Sequence, residues 1–219
     1  TQDYRSGDSF RRIHWAASAR IGKLQVKKLE PAMTIETVIA LNLHEDEYEP
    51  NQRDQGTELG IVAAASLAQR LTQLRQGVAM VSNGLDPLAD EAFDPSDPDS
   101  HPQPSDRPIS ISLGSGQGHL LKLLDVLARV QLGATIPFSD LLQRHTLHLS
   151  WGATILIITG DERDGLPEAV LRLKRRGFHV AVLLVAAQRT YHQRSTRLEG
   201  LGVRLWRAWK EDDLHAAFG

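Results

Sequence analysis

The run Thr37-Val38-Ile39-Ala40-Leu41-Asn42-Leu43 decides the fold. It is short, mostly apolar and rich in branched side chains, so it reads as a strand covered on both faces. Apolar residues then recur at helical spacing from Glu58 to Arg75, at Leu59, Val62, Ala63, Leu67, Leu71 and Leu74. Thr57 is the expected N-cap of this helix and Gly77 its expected stop. Val78-Ala79-Met80-Val81-Ser82 reads as a second apolar strand.

The last third of the chain repeats the beat. Strands are predicted over 153–159, 180–185 and 203–206, and helices over 167–176, 190–198 and 212–218. Pro167 stands near the first position of its helix, and Gly177 is its stop. Helices are also predicted over 120–130 and 138–147. Alternation of this kind gives a doubly wound α/β domain whose mostly parallel sheet has helices on both faces. Ile109-Ser110-Ile111-Ser112-Leu113 alternates strictly instead, as an edge strand does.

Between them, residues 84–108 hold seven acidic residues against Arg107 alone, and six of the ten prolines. Repeated Asp-Pro pairs sustain neither helix nor ladder, so this stretch is a long acidic loop. At the other end, residues 1–34 form an arm ahead of the domain at 35–219. The arm has one half-buried strand at 24–29 and a short helix or ordered loop over 10–19. Residues 1–30 carry seven basic side chains against Asp3, Asp8 and Glu30.

Composition narrows the function. The net charge of -2 does not call for nucleic acid or an anionic membrane. Without cysteine there is no thiolate nucleophile, disulfide or cysteine-ligated metal, and a reducing cytoplasm fits. No apolar run reaches the length of a membrane span.

The arm holds the most specific motifs: Tyr4-Arg5-Ser6-Gly7-Asp8, then Arg11-Arg12-Ile13-His14-Trp15, then Ser18-Ala19-Arg20. With Leu41-Asn42-Leu43, Ala63 to Ala68, Val81-Ser82-Asn83-Gly84, Gly118 to Leu121 and Leu127-Ala128-Arg129, they resemble in order the bacterial domain of unknown function 58 family. That resemblance implies a von Willebrand factor A-like fold with one antiparallel edge strand, the one at 109–113. It implies a cytoplasmic domain of a membrane-anchored protein, and an accessory role beside a MoxR-type AAA+ ATPase. Physically, Asp8, Arg12, His14, Trp15, Ser18 and Arg20 read as a structural clasp or a partner-binding surface. Arg12 or Arg20 would pair with Asp8, and Trp15 would be the apolar anchor.

Many von Willebrand A domains hold Mg²⁺ through Asp-x-Ser-x-Ser after the first strand, with a Thr and a second Asp on neighbouring loops. Here Asn42 replaces the first Asp and His44 the first Ser. The loop at 114–118, taken as the third loop of that corner, has no Thr, and Asp161 matches the second Asp. The site is read as degenerate, without metal or other cofactor. The alternative is a divalent-metal-dependent hydrolase using Glu45, Asp46 and Asp161. A purely structural domain is a third reading. Gly114 to Gly118 lacks the Lys of a P-loop, and His145 with His148 lacks a third ligand. Trp206 and Trp209 are expected to cover a sheet edge. The chain is therefore expected to bind a protein partner and not to catalyse. Its surface is the carboxyl edge of the sheet, where loops at 42–57, 114–118 and 160–166 would converge.

Overall fold

A computed structural model describes residues 2–4, 13–26, 36–48, 50–88, 108–133, 136–146, 149–160, 165–185 and 196–218. The chain divides into two compact units, 1–34 and 35–219.

In the first unit, β1 (Gln2–Asp3) pairs antiparallel with β2 (Gln25–Val26), and α1 (Trp15–Ile21) lies between them in sequence. His14 caps α1, its Nδ1 accepting from the Ala17 amide at 3.2 Å. Gly22, at φ 72, ends the helix in the left-handed conformation that glycine adopts without strain. The buried Ser18 hydroxyl accepts from the Gln25 amide at 2.9 Å and so ties helix to strand. The apolar contact is made by Ile13 and Val26, bridged to one another and buried. Trp15 is not the anchor that was expected: at the first position of α1 it is 69% exposed.

The second unit is a six-stranded sheet. Its strands are β3 (Glu36–Leu41), β4 (Gly77–Ser82), β5 (Ile109–Gly114), β6 (Thr154–Thr159), β7 (His179–Val185) and β8 (Arg204–Ala208), in the order β5-β4-β3-β6-β7-β8. All neighbours are parallel except β4 and β5. The period of two sends alternate side chains to opposite faces. Ile39, Leu41, Met80, Ile158, Leu183 and Val185 pack under α2 (Arg53–Gln73) and α3 (Gln117–Leu127). Val38, Ala40, Ile155, Ile157, Val182 and Leu184 pack under α4 (Phe138–His145) and α5 (Leu166–Arg175). The short α6 (Thr196–Gly200) and the terminal α7 (Glu211–Phe218) flank β8. Trp206 of β8 is half-buried against the first of these cores. Among the described residues, no helix is long and apolar enough to cross a membrane.

Several boundaries differ from the sequence reading, and three of them bear on the expected caps and loops. Helix α2 starts at Arg53, so Thr57 is no N-cap; it lies inside, and its hydroxyl donates back to the Arg53 carbonyl at 2.9 Å. Gly77 is the first residue of β4, and the left-handed residue after α2 is Arg75, at φ 57. Most consequential is β5. Because it runs antiparallel, its last residue Gly114 lies opposite Val78, at the amino end of β4. The 114–118 turn therefore sits at the opposite end of the sheet from the loops it was expected to join.

Candidate functional site: the carboxyl-end corner

Parallel register brings the ends of three strands together. Leu41 pairs with Ser82 on one side and with Ile158 on the other. The next residues along, Asn42, Asn83 and Thr159, are all fully buried at one corner. Polar side chains buried at strand ends must satisfy one another, and these do. Asn42 Nδ2 donates to Glu47 Oε2 at 2.7 Å and to Thr159 Oγ1 at 2.9 Å. Asn42 Oδ1 accepts from the His44 amide and from Asn83 Nδ2, both at 3.1 Å. Asn83 Oδ1 accepts from the Leu43 amide at 2.8 Å.

Glu47 comes from a single 3₁₀ turn, Glu45–Glu47. His44 caps that turn, its Nδ1 accepting from the Asp46 amide at 3.3 Å. The other oxygen of Glu47 accepts from the Phe138 amide at 3.1 Å, at the start of α4, where a carboxylate also complements the helix dipole. Tyr48 follows, 2% exposed, and its hydroxyl donates to the Asn42 carbonyl at 2.7 Å. Burial, with the Glu47 charge beside it, pushes the Tyr48 hydroxyl above the usual phenol range, so it stays a donor.

The third loop of the corner is 131–137. Leu85 bridges Gln131 and His44 bridges Gly133. The Glu45 amide donates to the Gly133 carbonyl at 3.0 Å, and Asn83 Nδ2 to the Ile136 carbonyl at 3.1 Å. This loop, unlike 114–118, contains a threonine, Thr135, which lies outside the described residues. Asp86 fixes the neighbouring segment: Arg129 at the end of α3 grips its two oxygens at 2.7 and 2.9 Å. The same guanidinium reaches Asp125. The Arg129 hydrogen bond holds the Asp86 carboxyl below the usual carboxylate range.

Of the residues singled out in sequence, the fold brings Asn42 and His44 into this network. Asp46 faces solvent with Glu45 half-buried beside it, and Asp161 lies outside the described residues. In the arm, His14 and Ser18 make the cap and the strand tie, Arg20 and Trp15 are exposed, and Asp8 and Arg12 lie outside the described residues. Glu47, Tyr48, Asn83 and Thr159 were not anticipated. The signal for Asn83 was present: like Asn42, it directly follows an apolar parallel strand, at the edge where such sheets bind ligands.

The donor set does not fit an octahedral Mg²⁺ of the Asp-x-Ser-x-Ser kind. An amide stands where a carboxylate is needed, and both lone pairs of its oxygen already accept N–H groups. Among the described residues no cluster of three or more His, Cys, Asp or Glu side chains is grouped to hold a metal.

The model of the family described as "Protein of unknown function DUF58" matches residues 1–92. Among solved structures, the conserved hypothetical protein BatB from Bacteroides thetaiotaomicron superposes with a TM-score of 0.53 at 12% identity, over 84% of this chain and 94% of that one. A von Willebrand factor type A structure from Catenulispora acidiphila superposes with a TM-score of 0.50 at 8% identity, over 84% of this chain and 40% of that one. At such identities the likeness shows the fold alone, and that fold is von Willebrand factor A-like. No curated protein matches the chain.

Proposed function

Starting from a chain that carries the DUF58 match in residues 1–92 and folds as a von Willebrand factor A-like domain, we propose that it is a non-catalytic protein-interaction module. The observation behind this reading is the closed network around Asn42. Chemistry at such a corner needs a cation with open coordination sites or a nucleophile beside a base. Here the buried polar groups are spent on holding residues 42–48, 83–88, 131–133 and 136–137 in one arrangement. What they present outward is a firm acidic rim, Glu45 and Asp46, on a preorganised surface. Fixed loops lose little entropy on docking, which favours recognition.

The partner favoured by the resemblance is a MoxR-type AAA+ ATPase, and the protein would be the cytoplasmic domain of a membrane-anchored polypeptide. The test is a pull-down of the purified chain with the MoxR-type ATPase of the same organism, with and without Mg·ATP. Association that depends on nucleotide is expected, and Glu45→Lys with Asp46→Lys weakens it. No association in any nucleotide state removes the ATPase from the proposal. Saturable binding of Mg²⁺ or Mn²⁺ to the purified chain alone, measured by calorimetry, would favour a metal-bearing corner.

A further inference from the structure

Among the described residues, one face of the sheet is covered only in part. Helices α2 and α7 close the carboxyl-end rows, where Ile158, Leu183 and Ala208 lie in the core. Toward the amino ends, register lines up Leu156, Ala181 and Arg204 across β6, β7 and β8, with Trp206 of β8 opposite Leu183 in the next row. Around them opens a cleft of about 560 Å³. Its floor is apolar: Leu156, Ala181 and the half-buried Trp206.

The rim is lined by basic residues. Arg204 and His179 are exposed on adjacent strands. Lys174, from the last turn of α5, is held in place by donating to the carbonyls of Leu201 and Gly202. Among the described residues that line the cleft there is no Asp or Glu. The feature is at the opposite end of the sheet from the Asn42 corner, so it stands whether or not the reading of that corner does.

We propose that this cleft is a second docking site, which receives an acidic segment of a partner protein and seats one bulky apolar side chain of it against Trp206. Charge decides between occupants. A second copy presenting the same surface would set cation against cation. A flat anionic bilayer would meet the rim but could not fill a concave apolar floor. A peptide with carboxylates flanking an aromatic anchor satisfies both.

The test uses the full chain, labelled with ¹⁵N, and a synthetic Glu-rich peptide with one central Phe. Saturable shifts of the amide signals of Ala181 and Arg204 to Trp206 are expected. Arg204→Glu and, separately, His179→Glu should each weaken binding by about tenfold, since both positions are exposed and tolerate substitution. Lys122→Glu, on α3 beside β5 at the opposite edge of the sheet, should leave it unchanged. Replacing Phe by Ser in the peptide should weaken binding as well. The proposal fails if the Lys-for-Glu peptide binds as tightly, if the shifts map elsewhere, or if both charge reversals bind like the parent. It also fails if those amides respond only to phosphatidylserine vesicles, or only to rising protein concentration through self-association.

Discussion

The side-chain amide of Asn42 donates to Glu47 Oε2 at 2.7 Å, so the half-buried carboxylate of the corner is turned toward an amide and not toward a cation. With Thr159, Asn83 and the His44 amide, this uses all four hydrogen-bonding valences of the Asn42 side chain. Asn42→Asp removes the donor and places a carboxylate with no exposure to water against the half-buried Glu47. The expected loss is about 2–4 kcal/mol in urea unfolding. Adding Glu47→Gln should recover much of it, because the new amide donates to the new carboxylate. A double variant no more stable than Asn42→Asp alone would mean that the pair does not hold the corner.

In the arm, the capping role of His14 and the exposure of Trp15 separate two readings of one motif. His14→Ala should lower the stability of that unit by about 1 kcal/mol, the usual effect of a lost cap. Trp15→Ala should change it by less than about 0.5 kcal/mol, as surface substitutions do. If Trp15→Ala instead weakens binding of a partner while the thermal melt is unchanged, the exposed ring belongs to an interface.

The alternation of apolar strands with amphipathic helices made the sheet and its two covered faces legible in sequence, because burial on both faces leaves a continuous apolar run such as Val38 to Leu41. The edge position of β5 was legible too, from the strict alternation of Ile109 to Leu113. Its consequence for the loops was not. A one-dimensional pattern gives each strand without its direction relative to its neighbour, and reversing β5 exchanges loop 114–118 for loop 131–137 at the corner. The same limit hid Glu47 and Tyr48. Nothing in Glu45-Asp46-Glu47 tells which carboxylate folds inward, since that choice is made by the Asn42 amide and the Phe138 N–H.

Tyr48 lies against two glycines, and each predicts a different outcome. A Cβ at Gly160 would overlap the Tyr48 ring, whereas one at Gly56 would stand 3.1 Å from it. The ring cannot move aside without losing the bond from its hydroxyl to the Asn42 carbonyl. Gly160→Ala should therefore cost about 1–3 kcal/mol by overpacking, and Gly56→Ala less. Tyr48→Phe isolates the effect of the hydroxyl and should cost about 1–2 kcal/mol, the penalty for an unsatisfied buried carbonyl. Denaturant midpoints at constant slope report all three. Gly160→Ala with the parent's midpoint would show that the ring is free to swing out.

The Asp86–Arg129 pair makes a pH prediction with a definite sign. Asp86 is 7% exposed and Arg129 26%, so the fork is partly shielded from water and contributes more than a surface pair. Its carboxyl is held below the usual range in the folded state by the Arg129 hydrogen bond. A group whose folded pKa is depressed contributes its stability in full above the unfolded value, about 3.9 for Asp, and loses it as the pH falls through the folded value. Asp86→Asn should therefore lower stability by about 1–3 kcal/mol at neutral pH. The gap between variant and parent should then narrow below about pH 4. Urea unfolding of both proteins across the acid range measures this. A gap that stays constant as the carboxyl protonates would mean that the charge of Asp86 adds nothing beyond its shape, and that the segment 83–88 is held by the Asn83 hydrogen bonds and the Leu85–Gln131 bridge.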